Sequence, residues 1–421
     1  MKYWKVSRPS KNSEGSITLP ASKSISNRAL LLQALCPSPT ECSLHNLADC
    51  DDTQRLAEAL RQYTSQGLLT IDIDGAGTAM RFLTAYFACQ PGCEVLLTGN
   101  ERMQQRPIAP LVETLQSLGA DIAYEGAEGC PPLHIRGRRL HASEATINSS
   151  ISSQYVSALM MIAPTISDGD FTLHLQGYVA SRPYIDMTMA LMKQFGIETA
   201  WEDAVTIRVS AGSYHPCDLT IEGDWSAASY WLALQTVALF RHLDSKIQLE
   251  GLTHDSIQGD SICTTLLNPW SMMHGEMTPD CAGTPDIIPT LAVAYCLAGR
   301  PFRIFGAESL RVKESDRVEA LVNELGTLGY PIEVKVSEWR GHEEVTLIWN
   351  GERREPVTDT VCGAPLIHTY GDHRMAMAFA PAALVFDSIV IEDPDVVAKS
   401  YPAFWDDLQH IGFHITPIST I

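Results

Sequence analysis

Four times along this chain an amphipathic run closes on an apolar residue followed by glycine, and a strand-like segment begins. This happens at Gly119, Gly196, Gly329 and Gly412. Glycine just beyond the last periodic residue is a helix stop, because it enters the left-handed region without a Cβ penalty. The stops recur at roughly 65–85 residues or about double that, which indicates a repeated supersecondary unit. Helical and short strand-like segments alternate, so the expected class is α/β. The repeats occupy both halves of the chain. Its 421 residues suffice for two or three domains of ordinary size. A division near Gly223-Asp224 gives two parts of similar size.

The second constraint is where the cations fall. In LPASKSISNRALLL (Leu19–Leu32), Pro20 and Ser22 stand where a helix start places proline and a side-chain cap. Lys23 is then in the first turn, where the helix end is already partly positive, a mismatch of about 0.3–1 kcal/mol. A bound anion answers it, with free N–H groups, serines and Lys23 around a phosphate or carboxylate. Ser24 and Arg28 are four apart and share a face. The alternative is a capped helix with a solvated Lys and Arg.

The theme returns down the chain. LADCDDTQRLAEALRQY (Leu47–Tyr63) opens on Asp51 and Asp52, read as cap and dipole partners. IDIDGAGTAMRFLTAYFA (Ile71–Ala88) runs from a strand through Gly75 and Gly77 into a helix with Arg81 in its first turn. Gly77 lets a ligand approach the backbone. The turn is no P-loop, for no Gly-Lys-Ser/Thr closes it. Arg102 and Arg106 precede a helix opened by Pro107 and Pro110. Ser152, Ser153 and Gln154 stand before an apolar helix, where they either cap it or donate to a phosphate. Ser181, Arg182 and Tyr184 repeat this, and Asp224 or Ser226 caps a further helix. Arg317 and Arg374 begin apolar helices in the last part. So many polar and cationic helix starts imply convergence on one anion-binding site, cationic although the chain carries a net charge of −20.

That net charge disfavours non-specific nucleic-acid binding and a basic membrane surface. Eleven scattered cysteines without a CxxC pair read as reduced, mostly buried thiols of a cytoplasmic protein, with no metal site. The first twenty residues show no apolar signal core, and no apolar run reaches the length of a membrane span.

Taken in order, SKSISNRALLL, GAGTAMRFL, the RMQQRP loop, SSQYVSALMM, SRPYIDMT, PDIIPTLA, RVKESDR, GDHRMAMA and DPDVVAKSYP resemble the enolpyruvyl transferases. Within that family they are most similar to the 5-enolpyruvylshikimate-3-phosphate synthases (3-phosphoshikimate 1-carboxyvinyltransferases). The resemblance spans Leu19 to about Phe413, and nine weak motifs in order are specific. It implies a two-domain inside-out α/β barrel, each domain three βαβαββ units around inward-pointing helices. The domains would be 14–223 and 224–421, the latter joined by 1–13, with crossings near Ser13–Thr18 and Gly223 and closure about them when substrate binds.

The implied reaction moves the enolpyruvyl group of phosphoenolpyruvate to the 5-hydroxyl of shikimate 3-phosphate, toward chorismate and the aromatic amino acids. It implies a monomer, without metal or organic cofactor, nucleic acid or membrane. By motif, Lys23, Ser24, Arg28, Ser152, Ser153, Gln154, Ser181, Tyr184, Asp286 and Lys313 hold shikimate 3-phosphate. Lys23, Gly77, Arg106, Gln154 and Lys399 surround the phosphate of phosphoenolpyruvate, and Arg317 and Arg374 fork its carboxylate. Asp286 matches the base or hydroxyl-binding position and Glu314 the acid, with Lys23 and Lys399 sharing the proton work. Lys313, Arg311 and Arg317 around Glu314 favour its ionised form. The chain departs from common family patterns at Gly75, Phe82 and Ser309.

Three rivals remain. A UDP-N-acetylglucosamine enolpyruvyl transferase usually carries Cys in the loop before its Arg-Pro, and Arg102–Arg106 has none. A non-catalytic anion sensor has no use for Asp286 and Glu314 among its cations. A nucleotide-binding module rests on GAGTAM alone.

Overall fold

The computed structural model describes residues 2–10, 12–62, 67–273, 275–339, 341–356 and 360–418. Tyr63, the last residue of the LADCDDTQRLAEALRQY stretch, and the terminal 419–421 of the expected second domain lie outside the described residues. The chain divides into two compact units, Ala21–Ile221 and Met1–Pro20 with Glu222–Ile421. These divisions, after 20 and 221, lie beside the crossings expected near Ser13–Thr18 and Gly223. The physical reason is backbone pairing. Ser13–Thr18 runs parallel to Ser245–Glu250 in register from Ser13↔Ser245 to Thr18↔Glu250, so 14–20 go with the second half. The Gly223 N–H donates to the Gly251 carbonyl at 2.7 Å, and Asp224 N–H to that of Pro20 at 2.9 Å.

The first unit contains helices α1 (Lys23–Leu35), α2 (Asp51–Gln62), α3 (Gly77–Ala88), α4 (Ala109–Ser117), α5 (Ser153–Ile166) and α6 (Arg182–Gln194). Two sheets repeat one topology. Leu68–Asp72 and Glu94–Thr98 pair in parallel; Leu133–Arg136 then adds antiparallel, and Asp121–Tyr124 antiparallel to that. Glu144–Asn148, Phe171–Gln176, Thr206–Val209 and Thr199–Trp201 follow the same order and directions. Each sheet with its two helices is a βαβαββ unit. Ser43–His45 pairs in parallel with Asp218–Thr220.

The second unit contains α7 (Trp225–Phe240), the short α8 (Cys263–Leu266), α9 (Ile288–Leu297), α10 (Arg317–Thr327), α11 (His373–Phe379), the short α12 (Ala383–Phe386) and α13 (Phe404–His410). Here the βαβαββ order closes through the start of the chain: Ala364–Ile367 parallel to Ser388–Glu392, then Tyr3–Ser7 and His414–Ile418 antiparallel. Another sheet sets Phe302–Ile304 beside His342–Trp349 and Glu333–Trp339, with parallel bridges from Met277 and Asp280 to Phe302 and Phe305.

Burial says which layer is inside. Every residue of α9 and of α11 is buried, and so is all of α3 except Thr78. A helix apolar all round has no solvent face. Two strands of the first unit alternate instead: Ala145 and Ile147, then Phe171, Leu173 and Leu175, point inward while their neighbours are more exposed. No described helix is long and apolar enough to cross a membrane. All eleven cysteines are free thiols, eight of them buried.

The four glycine stops are one motif. Gly119, Gly196, Gly329 and Gly412 have φ of 97°, 86°, 88° and 101°. The next N–H in each case reaches back five residues: Ala120 to Leu115 at 3.0 Å, Ile197 to Met192 at 2.9 Å, Tyr330 to Leu325 at 2.8 Å, Phe413 to Leu408 at 3.1 Å. This is the Schellman closure, which satisfies carbonyls the helix leaves unpaired. A Cβ at Gly119 would meet nothing within 4 Å, whereas one at Gly196 would lie 2.6 Å from His215 Cδ2. Gly119→Ala is expected to lower stability by about 1–2 kcal/mol, the left-handed penalty alone, and Gly196→Ala by more. Urea midpoints of the two variants check this; equal losses would show that His215 yields freely.

Candidate active site

In the first unit, Ser22 caps α1 and accepts from the Ile25 N–H. Lys23 follows, and its Nζ lies 2.8 Å from Asp52 Oδ2, both side chains nearly buried. The misplaced cation thus has a carboxylate of the protein's own, and Asp52 does more than match the dipole of α2. Arg28, 2% exposed, takes the opposite course. Its Nε donates to Thr188 Oγ1 at 2.7 Å and its Nη1 to the Ser24 carbonyl at 2.9 Å. Its Nη2 donates to Ser157 Oγ at 3.2 Å and the Tyr184 carbonyl at 3.3 Å. These oxygens are uncharged. Burial pushes the guanidinium pKa down to about 10. Phe82 and Tyr184 rings at 5.5 and 5.9 Å offer their π faces, so the departure at Phe82 packs directly on Arg28.

Gly77, Arg106 and Gln154 come together at the start of α3. A Cβ on Gly77 would sit 2.6 Å from Arg106 Nη1 and 2.9 Å from Nη2. Arg106 is buried, and its Nε has no hydrogen-bond partner among the described residues. Gln154 Nε2 donates to Thr78 Oγ1 at 3.0 Å. A guanidinium pressed against a helix N-terminus adds positive charge to positive charge, the arrangement that attracts an anion. Ser152 caps α5 and accepts from the Gln154 N–H at 3.2 Å. Ser181 stands at the Ncap of α6 with φ 52° and makes no side-chain cap bond. A non-glycine residue in that region is strained, and its hydroxyl is not spent on the helix.

The second unit gathers the remaining candidates tightly. Arg317, at 1% exposure, donates from Nε to Asp372 Oδ2 at 2.7 Å and from Nη2 to Asp372 Oδ1 at 3.2 Å. It also donates from Nη2 to Glu314 Oε2 at 2.7 Å and from Nη1 to Asp286 Oδ1 at 3.2 Å. Arg374 donates to Asp286 twice, from Nη2 to Oδ2 at 3.0 Å and from Nη1 to the main-chain carbonyl at 3.1 Å. Lys313 Nζ is 3.5 Å from Asp286 Oδ1, and Lys399 Nζ 3.9 Å from Glu314 Oε1. Burial raises the Asp286 pKa, but Arg374, Lys313 and Arg317 together outweigh it and hold the carboxyl far below the usual range.

Comparison with known proteins decides the family. The sequence model described as EPSP synthase (3-phosphoshikimate 1-carboxyvinyltransferase) matches residues 7–67 and 62–408. A Bacteroides fragilis protein named 3-phosphoshikimate 1-carboxyvinyltransferase is 46% identical over 418 residues, covering 96% of each chain. This chain belongs to the EPSP synthase family. A Yersinia ruckeri protein of the same name is 35% identical over 436 residues, covering 94% of this chain and 96% of its own. In fold, an EPSP synthase from Acinetobacter baumannii superposes with a TM-score of 0.71 at 18% identity, covering 99% and 100% of the two chains. The enolpyruvyl transferase NikO from Streptomyces tendae gives 0.69 at 14% identity over the whole of both.

Two expectations for this EPSP synthase family member are corrected by the geometry. Arg311 turns to Glu343, 3.3 Å away, rather than to Glu314. The expected cationic character is also muted in the second unit. Lys313, Arg317, Arg374 and Lys399 meet Asp286, Glu314 and Asp372, leaving an excess of one positive charge. The carboxylates offset the cost of desolvating these guanidiniums. Asp372 escaped the sequence reading because it appeared only as part of GDHRMAMA. It caps α11 through the Arg374 N–H at 2.9 Å and accepts from Ser315 Oγ at 3.1 Å. The available signal was an acid two residues ahead of Arg374 at a helix start. Asp260 was missed too: it is 4% exposed and accepts from Ser226 Oγ. Burial, reinforced by Asp286, pushes its pKa up to about 6.

A carboxyl with a raised folded pKa favours folding only while protonated. Its contribution is present below the unfolded value near pH 4 and is lost as pH rises through about 6, by about 3 kcal/mol at most. Asp260→Asn, a mimic of the protonated form, is therefore expected to gain stability relative to the parent between pH 4 and 7. Urea denaturation at both pH values measures this. An unchanged difference would mean that Asp260 ionises normally.

Proposed function

We propose that this chain transfers the enolpyruvyl group of phosphoenolpyruvate to the 5-hydroxyl of shikimate 3-phosphate, releasing phosphate, in the synthesis of chorismate and the aromatic amino acids. The observation that carries the reading is 46% identity over 96% of both chains to a protein of that name. The side chains that this chemistry calls for are present in the sequence.

The substrates together bring two phosphates and two carboxylates. In this reading Lys23, Gly77, Arg106, Gln154 and Lys399 serve the phosphate of phosphoenolpyruvate, and Arg317 and Arg374 its carboxylate. Ser152, Ser153, Ser181 and Lys313 serve the 3-phosphate of the second substrate. Ser24 and Arg28 serve its carboxylate side, and Gln154 and Tyr184 its ring. Arg28 fits that role, since its partners are neutral oxygens that leave its charge uncancelled.

The reaction is addition then elimination. Asp286 accepts the proton of the 5-hydroxyl as its oxygen bonds to C2, while protonated Glu314 gives a proton to the methylene carbon. The tetrahedral adduct then returns that proton to Glu314 and expels phosphate, which carries off the proton held by Asp286, and the double bond is restored. In this reading Lys23, paired with Asp52, and Lys399, near Glu314, share the proton work.

The finer architecture in this reading is three βαβαββ units in each half, about inward-pointing helices. The protein is a cytoplasmic monomer that works without metal or organic cofactor and has no nucleic-acid or membrane partner.

Phosphate release from phosphoenolpyruvate, with and without shikimate 3-phosphate, tests the activity; release is expected only with both. Glu314→Gln is expected to lower kcat by about 10²–10⁴-fold. Arg374→Ala is expected to raise the KM for phosphoenolpyruvate on the order of 10²-fold, since a charge-assisted fork is lost. Near-normal turnover of Glu314→Gln would transfer the acid role to Lys23 or Lys399.

A further inference from the structure

The two guanidiniums assigned to the phosphoenolpyruvate carboxylate already hold carboxylates of the protein, and these are not equivalent. Asp372 is wholly buried. It receives two bonds from Arg317, one from Ser315 Oγ and one from the Arg374 N–H, so it is fixed in place. Glu314 is bound to Arg317 at 2.7 Å and approached by Lys399. Asp286 is the one carboxylate, among the described residues, recorded on both guanidiniums: Oδ1 on Arg317 Nη1 and Oδ2 on Arg374 Nη2. Its side chain is 17% exposed, against 13% for Glu314 and none for Asp372. Its main-chain carbonyl separately accepts from Arg374 Nη1, so Arg374 keeps its anchor if the carboxylate swings away.

We propose that Asp286 is a displaceable counter-ion: the carboxylate of phosphoenolpyruvate takes its place on Arg374 and Arg317, and the released Asp286 carboxylate becomes the base for the attacking hydroxyl. The inference rests on the reaction assigned above. A ligand carboxylate that forks both guanidiniums needs the N–H groups that Asp286 now occupies. While Asp286 is clamped by three cations it is a weak proton acceptor, because a base works best when its pKa lies near the working pH. Once Arg317 and Arg374 turn to another anion, burial dominates and its basicity rises. The proton balance is that of the addition step: the O–H bond breaks, its proton goes to Asp286, and the oxygen pair forms the bond to C2. Binding of the correct carboxylate and arming of the base are then one event, and a ligand without that carboxylate leaves the base quenched.

The test is equilibrium binding of phosphoenolpyruvate and of inorganic phosphate to the full-length parent, Asp286→Asn and Asp286→Ala. Removing the competing carboxylate is expected to tighten phosphoenolpyruvate at least about tenfold and to leave inorganic phosphate within about twofold, while kcat falls. A base that is only a base gives no such selective gain. A reading that needs no variant is carbon-13 resonance of aspartate carboxyls in the parent. One carboxyl is expected to stay ionised through the acid range with inorganic phosphate and to gain an inflection at higher pH with phosphoenolpyruvate. Unchanged or weaker phosphoenolpyruvate binding in the folded variants, or titrations identical with the two ligands, overturns the exchange. Absence of phosphate release by the parent with both substrates overturns instead the assigned reaction.

Discussion

Burying a guanidinium in a helical core is costly unless charge or acceptors answer it, and Arg317 is where this molecule answers it with carboxylates. Desolvating one ion costs several kcal/mol even after relaxation. Arg317 offsets this with Asp372, Glu314 and Asp286. The same contacts do architectural work. Asp372 caps α11, Asp286 lies just ahead of α9, and Arg317 is the first residue of α10. One buried cation therefore ties three helix starts together, and both carboxylates proposed for proton transfer in this unit are among its partners. Removing it would leave Asp372 buried with only neutral donors, which is why so apolar a core keeps so many charges.

The first unit handles a buried cation differently. Arg28 rests on hydroxyl and carbonyl oxygens and on two aromatic faces. Neutral oxygens satisfy its N–H groups without cancelling its charge, and burial lowers its pKa. Lys23 follows the pattern of Arg317, with Asp52 in contact. A cation held by neutral oxygens attracts an anion directly; a cation held by a carboxylate must exchange one anion for another. The two kinds of site differ in what binding releases.

Local chemistry was largely legible along the chain. Glycine at 119, 196, 329 and 412 announced four helix stops because only a left-handed residue completes the closure there. The closure also occurs where the same reading found no stop. Leu243 N–H reaches the Ala238 carbonyl at 2.9 Å after His242 at φ 57°, and histidine in that region carries no sequence signal. Caps at Ser22, Ser152 and Asp224 were readable for the same local reason. Partners were not. Asp52 for Lys23, Asp372 for Arg317 and Glu343 for Arg311 lie 29, 55 and 32 residues away, beyond any local pattern.

Sequence by itself determined the α/β class, the repeated helix stop and the family, because these follow from nearest-neighbour backbone rules and from motifs in a set order. Tertiary structure alone decided which cations are already answered, that the second unit's cluster is nearly neutral, and that residues 14–20 join the second half through pairing with 245–250. The reason is the same in each case. Ion pairs and strand pairing are set by distance in space, and segments far apart in sequence become neighbours only when apolar helices are driven into the core and bring their charged first turns with them.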